Sequence, residues 1–402
     1  MPELKPFNAI RFADSAAYKD LVCPPYDIIS PSEQDALHDR HPHNAVRLEL
    51  AKEAGPQGYA EVARLFSGWL EEGILVRDER PCLYVYRQDF GHEGERRRVI
   101  GVLGALRLEE FGENAGVLPH ERTMPGPIED RLALLDALQV NVSPIYGIYR
   151  GGGSIQPFLS SLEDRPAMAR FADDEGILHR LWVITAPAEL EMLSAEISAH
   201  TLVIADGHHR YETALTYHRA HLDEPGAHDS ILCFCVDADT EGLVVLPYNR
   251  ALRTNDDIAA ILGERGSLDV TDATAALEAS QADHPFVVIT AKGESLVEVS
   301  DDEVIAAVGQ RAKAWRDLDV VALHEALLPA LAPSGIEEFR FSKDPDEVRR
   351  LVSEGDFDAG VLLRALSAAQ IVDVASSGER MPQKASYFWP KAVTGLVFRS
   401  LR

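Results

Sequence analysis

The chain has 402 residues, of which 46% are hydrophobic, so it is long enough to bury a substantial core in two or three domains or in one large domain. Its formal net charge of −26 at pH 7 argues against a general binder of nucleic acid or of anionic membranes, because such partners require a basic face. Four cysteines, no leader-like amino terminus and no apolar run of about 20 residues predict a reduced, cytoplasmic protein without membrane spans.

Sequence patterns in the first part of the chain predict helices and a hairpin between proline-rich stretches. Apolar side chains at helical spacing indicate the helices, and alternating β-forming residues indicate the hairpin strands. The predicted elements are, in chain order, an irregular segment (1–50), an amphipathic helix (57–75), two hairpin strands (81–90 and 97–108), a loop rich in proline (112–128) and a helix (130–140).

The second part of the chain contains six short apolar runs that predict strands, with helical patterns between several of them. These runs lie at 181–184, 202–204, 231–236, 243–246, 286–289 and 296–299. The alternation predicts an α/β or mixed α+β protein with mixed sheets and flanking helices. We expect three regions: an amino-terminal α/β region (1–108), a core carrying the chemistry (109–252) and a carboxy-terminal α/β region that packs on the core (253–402).

The densest polar cluster follows the strand predicted at 202–204. Asp206 and Gly207 break this strand, and the run from His208 to Leu222 has helical spacing. The apolar face of that helix is predicted to contain Tyr211, Ala214, Leu215, His218 and Leu222. His208, His209 and Arg210 then lie in the first helical turn.

The first turn of a helix attracts anions, because its backbone N–H groups are unpaired and its end of the macrodipole is positive. Arg210 adds a guanidinium that can grip a phosphate, and Gly207 lets the backbone approach a ligand closely. Asp206 can cap the helix, bind a divalent cation or accept a proton. A plain helix cap with solvated histidines is the alternative, but this density of polar groups at a strand end favours a functional site.

Segments across nearly the whole chain resemble the bacterial domain-of-unknown-function 1015 family. The resemblance rests on the box at 204–214 and on five further segments, at 5–11, 24–30, 119–123, 318–324 and 381–391. Membership of that family by itself implies little about function.

The Asp-Gly-His-His-Arg box (206–210) is also similar to the box of free-serine kinases in the ParB/sulfiredoxin-like superfamily. This resemblance implies a ParB/sulfiredoxin-like core with large insertions and nucleotide phosphates bound at the turn. It also implies an upstream glutamate acting as base, for which Glu121 is the best match. Glu121 lies 85 residues before Asp206, a longer separation than in those compact kinases.

Together these features predict a nucleotide-dependent phosphotransferase that acts on a small hydroxyl-bearing metabolite, with free serine as one candidate. The expected cofactors are Mg²⁺, held by Asp206, and ATP or ADP; the partners are this substrate and nucleotide, and a homo-oligomer is left open. The predicted catalytic residues are Asp206, Glu121, His120 and His208, and the predicted phosphate- or nucleotide-binding residues are Gly207, His209, Arg210, Arg122, Thr123, Lys384 and Lys391. We expect Asp206→Asn to abolish turnover with little loss of fold.

Two other functions fit the same residues. One is a nucleotide-sensing regulator or scaffold that binds without turnover. The other is a metal-dependent phosphohydrolase, with Asp206, His208, His209 and His120 as ligands. Arg250 is a further candidate for the phosphate site, whereas Cys233, Cys235 and His324 are interpreted as packing residues.

Overall fold

The computed structural model describes residues 1–112, 115–121, 125–240 and 242–402. Contacts between residues divide the chain into two compact units. The first unit contains the described residues up to Pro119, those from Pro125 to Leu243, and Pro390–Arg402. The second unit contains His120, Glu121 and Val244–Trp389.

The first unit is built on a nine-stranded mixed sheet. The unit also contains short strands outside this sheet, among them the pair β2 and β3. All strands of the unit up to Leu243 are β1 (Leu4–Lys5), β2 (Ile10–Phe12), β3 (Leu75–Arg77), β4 (Leu83–His92), β5 (Glu95–Arg107), β6 (Val117–Pro119), β7 (Val140–Asn141), β8 (Ile145–Tyr149), β9 (Ala169–Ala172), β10 (Leu178–Ile184), β11 (Leu202–Asp206) and β12 (Ser230–Asp237). The sheet order is β6-β11-β8-β12-β5-β4-β10-β9, with β1 paired to β5. Because β11 runs parallel to β6 and antiparallel to β8, the polar box lies where β6 and β11 both end.

The helices of the first unit contribute apolar faces to a core on this sheet. They are α1 (Tyr18–Leu21), α2 (Pro31–Arg40), α3 (Val46–Glu49), α4 (Pro56–Glu71), α5 (Pro125–Leu138), α6 (Gln156–Ser161), α7 (Pro187–Ser198) and α8 (His208–Ala220). Tyr211, Ala214 and Leu215 of α8 belong to the same buried cluster as Ile204 of β11 and Cys233 and Cys235 of β12. Burial of this face fixes the start of α8 directly after β11.

The second unit contains a six-stranded sheet and a two-stranded ribbon. Its strands are β13 (Val244–Leu246), β14 (Asn249–Arg253), β15 (Leu268–Val270), β16 (His284–Thr290), β17 (Gly293–Val299), β18 (Glu338–Ser342), β19 (Ala359–Leu363) and β20 (Tyr387–Trp389). Its helices are α9 (Ile258–Arg265), α10 (Ala273–Ala279), α11 (Asp301–Val308), α12 (Lys313–Arg316), α13 (Asp319–Ala322), α14 (Leu328–Leu331), α15 (Pro345–Ser353) and α16 (Ala368–Ser376). The large sheet has the order β15-β17-β16-β19-β14-β18, and β13 pairs with β20. The chain then returns to the first unit, where β21 (Arg399–Ser400) pairs with β7.

The structure confirms the mixed α+β class and most predicted elements. The hairpin forms as β4 and β5, and all six predicted short strands are present. Cys233 and Cys235 are buried in β12, as expected of core cysteines. Among the described residues, no helix has both the length and the apolar character needed to span a bilayer.

Three local predictions are wrong. The segment predicted as irregular over 1–50 contains β1, β2 and the helices α1, α2 and α3; α2 forms because Ser30 caps it and Pro31 occupies its first turn, where proline is tolerated. The stretch predicted as a loop over 112–128 contains β6 and the start of α5, because proline is tolerated in the first helical turn and Pro125 occupies that position. Leu222, predicted on the apolar face, lies beyond the end of α8 and is 65% exposed. The three-region division stays a prediction about folding domains, which is a different property from the two contact-based units.

Candidate functional site

Gly207 makes the sharp turn that joins β11 to α8. Its φ of +88° lies in the left-handed region, which glycine adopts without the steric cost that a side chain would add. A Cβ at this position would lie 3.0 Å from both the Arg210 Nε and the Ile145 Cγ2 atoms. The turn therefore requires glycine, and it presents the first N–H groups of α8 at the end of the strand.

Asp206, at the end of β11, binds two cationic side chains. One carboxylate oxygen accepts a hydrogen bond from Lys391 Nζ, and the other accepts one from Arg210 Nη2 at 2.6 Å. All three side chains are largely buried, with 15% of Asp206, 8% of Lys391 and 11% of Arg210 exposed. Burial alone would raise the pKa of Asp206, but the Lys391 and Arg210 charges outweigh it and hold this pKa well below its ordinary value.

Arg210 is anchored on the protein. Besides Asp206, it donates a hydrogen bond to the Pro144 carbonyl oxygen, and its Nε atom is buried without a hydrogen-bond partner among the described residues. Burial would lower the pKa of Arg210, yet the nearby charges of Asp206, Asp27 and Glu49 raise it. The two terminal nitrogens of Arg210 already bind Asp206 and the Pro144 carbonyl oxygen. In this conformation Arg210 positions the carboxylate, and it does not present its two terminal nitrogens to a phosphate as the sequence predicted.

A small cavity of about 60 Å³ lies beside Arg210 within the first unit. Its polar lining residues are Tyr26, Glu49, Arg131, Asn141, Ser143, Arg210 and Thr213. Glu49 accepts hydrogen bonds from the Tyr26 N–H group and the Ser143 hydroxyl, at 3.3 and 2.8 Å. The cavity is part of the surroundings that hold Arg210, and Arg210 is the one lining residue that the sequence analysis singled out.

The histidines of the first turn have different surroundings. His208 is buried, with 5% of its surface exposed, whereas His209 is half-buried. The positive charge on a protonated His208 would add to the field that lowers the pKa of Asp206. The alternative of two solvated histidines therefore does not describe His208.

The upstream pair His120 and Glu121 belongs to the second unit. His120 is buried and its Nε2 atom lies 3.0 Å from the Ser386 hydroxyl oxygen, while Glu121 forms a parallel bridge with Met381. Lys384 also belongs to this unit, and Lys391 to the first. Arg122 and Thr123 lie outside the described residues. The catalytic roles given to His120 and Glu121 stay predictions.

A metal site does not emerge from the predicted ligands. Among the described residues, no group of three or more histidine, cysteine, aspartate or glutamate side chains is arranged to hold a metal ion. Both oxygens of Asp206 are already bound by cations. The residues present therefore do not fit the Mg²⁺ expected at Asp206, nor the ligand set of a metal-dependent phosphohydrolase.

The chain is thus a mixed α+β protein with a polar turn at the end of buried strands, where a carboxylate lies between two cations. The chain belongs to the family described as "Protein of unknown function (DUF1015)", whose family model matches residues 4–321. No curated protein matches the sequence.

Several solved structures show a weak structural resemblance. A free serine kinase in complex with AMP is 11% identical, with a TM-score of 0.38, covering 70% of this chain and 88% of that chain. A conserved hypothetical protein from Pyrococcus furiosus is 12% identical, with a TM-score of 0.36 and coverage of 69% and 89%. SbnI with a C-terminal truncation, from Staphylococcus aureus, is 12% identical, with a TM-score of 0.38 and coverage of 73% and 85%. Likenesses this distant carry no argument about the function of this chain.

Proposed function

We propose that the protein is a nucleotide-dependent phosphotransferase acting on a small hydroxyl-bearing metabolite. The observation that carries this proposal is the Lys391–Asp206–Arg210 triad at the start of α8, next to the glycine turn. The N–H groups of the first turn and the Lys391 ammonium provide positive potential for the phosphates of ATP or ADP. Phosphoryl transfer depends mainly on such positioning and charge neutralisation.

In the proposed reaction, the substrate oxygen forms a bond to the terminal phosphorus of the nucleotide while the bond from that phosphorus to the leaving nucleotide breaks. Glu121 is the proposed base that takes the proton of the substrate hydroxyl. His209 and the Gly207 turn contact the phosphates, and the Lys391 ammonium stabilises the negative charge that develops on the leaving group. Free serine is the first acceptor to test. Because the donor set does not fit Mg²⁺, no step is assigned to a metal.

Nucleotide binding is tested by the shift in melting temperature that ATP, ADP and CTP produce, because occupancy stabilises the folded state by mass action. We expect a shift in the natural protein and a much smaller one in Lys391→Met. Lys292→Met, an exposed lysine in the β16–β17 turn, is the matched control and should retain the full shift. Absence of any shift with all three nucleotides in the natural protein would refute the proposal.

Turnover is tested by transfer of labelled terminal phosphate from ATP to serine, threonine and other small hydroxyl compounds. Glu121→Gln should keep the nucleotide-induced melting shift and lose transfer. If Glu121→Gln binds nucleotide and still transfers phosphate at the natural rate, Glu121 is not the base of the reaction.

A nucleotide sensor without turnover is the second candidate function. It is favoured by the engagement of both Asp206 oxygens, which leaves this carboxylate as a structural anchor for Lys391 and Arg210. A sensor predicts nucleotide-induced stabilisation with neither phosphate transfer nor phosphate release, and the transfer assay therefore separates the two functions.

A further inference from the structure

One face of the large sheet in the first unit changes from apolar to basic along its strands. Successive residues of a strand alternate between the two faces, so Val85 and Arg87 of β4 lie on the same face. On β10, which pairs with β4, Trp182 and Arg180 are related in the same way. Val85 and Trp182 lie opposite each other and belong to the buried apolar cluster of this unit. The apolar core therefore ends on this face where the arginines begin.

Three arginines lie opposite one another on adjacent strands. Arg180 of β10 pairs with Arg87 of β4 on one side and with Arg170 of β9 on the other. Directly opposite residues point to the same face of a sheet, with Cβ atoms about 5 Å apart, and like charges in such positions are destabilising. This run of three arginines therefore opposes folding, which indicates a role other than packing.

Two more arginines extend the basic face onto β5. Arg98 lies opposite Asp89, which is two residues after Arg87, and Arg96 lies opposite Gly91. Because residues two apart in a strand share a face, both arginines lie on the same face as Arg87. We call these five residues the arginine row: Arg87, Arg96, Arg98, Arg170 and Arg180.

Two carboxylates pair with part of the arginine row. One oxygen of Asp89 lies 2.6 Å from Arg87 Nη2 and 3.1 Å from Arg98 Nε. Glu163 forms ion pairs with the same two arginines. The hydrogen bond and charge of Arg87 lower the pKa of Glu163. The charges of Arg98 and Arg180 act in the same direction, so three guanidinium groups lie close to this one carboxylate.

Arg96 and Arg180 are left without an ion pair. Neither pairs with a carboxylate of residues 1–112, 115–121, 125–240 or 242–402. The Arg180 side chain is half-buried, and its Nε atom has no hydrogen-bond partner within these residues, whereas Arg96 is exposed. The whole chain has 65 acidic and 39 basic side chains, so unpaired arginines on one sheet face are a local reversal of its charge.

A groove gives solvent and ligands access to the arginine row. Its volume is about 1160 Å³, and four members of the row line it: Arg87, Arg96, Arg98 and Arg180. Arg98 keeps 44% of its side chain exposed. Four glycines also line the groove, and because they have no side chain they leave room for a ligand. A volume of this size is that of sites that hold whole small-molecule ligands.

The groove is separate from the Asp206 turn of the same unit. Asp206 lies on β11, and the sheet order places β8, β12 and β5 between β11 and β4, the strand of Arg87. At about 4.8 Å between neighbouring strands, these four steps amount to roughly 19 Å. The groove is therefore a second site, which goes beyond the proposed phosphotransferase function.

We propose that the arginine row binds a short polyphosphate chain, either inorganic or carried by a nucleotide. Each guanidinium presents a planar fork of N–H donors that matches the oxygens of a phosphoryl group. The register places the Cα atoms of Arg96 and Arg180 two strands and four residues apart, a distance of about 16 Å. Positive charge spread over this length matches an anion whose charges follow one another along a chain.

The net charge of the protein favours a short anion over a polymer. Charges farther away than about 8 to 10 Å are largely screened at physiological salt, so a short polyphosphate responds mainly to the arginine row. A nucleic acid or a long acidic peptide would extend over the surface of a chain of net charge −26, which repels it.

The test is titration calorimetry of the full chain with inorganic tripolyphosphate. Arg96→Gln and Arg180→Gln should each weaken binding about tenfold, because each removes a charge-assisted contact. The two positions are too far apart to couple, so the double variant should lose about 100-fold. Arg64→Gln, at an exposed arginine of α4, is the matched control and should bind as the natural protein does. Arg180→Gln also removes a like charge from the row, so it should weaken binding without lowering the melting temperature.

No binding of tripolyphosphate by the natural protein, or equal binding by the double variant, would overturn the proposal. Binding of inorganic phosphate as tight as that of tripolyphosphate would overturn it too, and so would tighter binding of hexaglutamate, which would indicate an acidic protein partner. Lys391→Met should retain tripolyphosphate binding, and its loss would assign the anion to the Asp206 turn and overturn the proposal.

Comparing ATP with tripolyphosphate in Lys391→Met distinguishes the two sources of the chain. Tighter binding of ATP identifies a nucleotide as the ligand of the groove, and tighter binding of tripolyphosphate identifies an inorganic chain; either result supports the proposal. An ATP-induced melting shift that remains in the Arg96→Gln, Arg180→Gln double variant belongs to the Asp206 turn. Failure of the groove and failure of the proposed function are therefore seen separately.

Discussion

Arg210 and Arg250 are both buried arginines, and they differ in one respect. Arg210 has Asp206 at 2.6 Å, and the nearby carboxylates raise its pKa despite burial. Arg250 has two carbonyl oxygens and an aromatic ring but, within the described part of the chain, no carboxylate, and burial lowers its pKa to about 9. Removing one partner of a buried pair strands the other charge, whereas Arg250 has no such partner to lose in the described chain.

The largest expected effect comes from removing the carboxylate of the first pair. Asp206→Asn leaves Lys391 and Arg210 facing each other without an anion, which should lower the free energy of unfolding by about 3–5 kcal/mol. Urea unfolding monitored by circular dichroism measures this loss. Asp223→Asn, at an exposed position, is the control and should change stability by less than about 0.5 kcal/mol. The buried triad thus predicts a larger loss than the sequence alone did for Asp206→Asn, and a loss below about 1 kcal/mol would contradict the structural role given to the triad.

The second effect tests the turn that places the triad. Gly207→Ala introduces a Cβ at φ +88° and within 3.0 Å of Arg210 Nε and Ile145 Cγ2, so we expect a loss of about 2–3 kcal/mol. Gly263→Ala, in α9 with open space around its Cα, is the matched control and should gain about 0.5–1 kcal/mol. The two unfolding curves should therefore move in opposite directions, and equal shifts would show that Gly207 is not conformationally required.

The third effect sharpens the contrast by removing the unpaired cation. Arg250→Met leaves the Tyr248 and Lys384 carbonyl oxygens without this donor but also removes a buried charge, so the two effects partly cancel. We expect a net loss of about 1–2 kcal/mol in urea unfolding, smaller than that of Asp206→Asn. A loss as large as that of Asp206→Asn would indicate that Arg250 is mainly a structural clamp.

The smallest expected effect is on the pH dependence of the free energy of unfolding, and it comes from His324, which feels the Arg250 charge. Burial, followed by the Arg250 charge, lowers the pKa of His324 to about 4, whereas an unfolded histidine titrates near 6.5. Between these values the unfolded state binds more protons, so His324 makes the protein less stable as the pH falls from 6.5 toward 4. His324→Gln should therefore reduce the stability lost between pH 7 and pH 5 by on the order of 1 kcal/mol. Urea unfolding at both pH values measures this slope, and identical slopes in the two proteins would show that His324 titrates normally.

Local patterns in the sequence were sufficient for the strand–glycine–helix turn. The apolar run before Asp206 and the helical spacing after Gly207 are properties of consecutive residues, and they predict β11, the turn and α8 close to their observed bounds. Paired cysteines on a buried strand were likewise recognisable as core residues. Such features depend on interactions within a few residues, which is why they can be found without the fold.

The tertiary structure alone decided how the charges are paired. Lys391 binds Asp206 across 185 residues of sequence, and Arg210 turns toward Asp206 and the Pro144 carbonyl. The absence of a carboxylate near Arg250 in the described chain is equally invisible to a linear pattern. Ion pairing depends on which strands and helices fold together and how much water they exclude, and those distances are set by the packing of the whole unit.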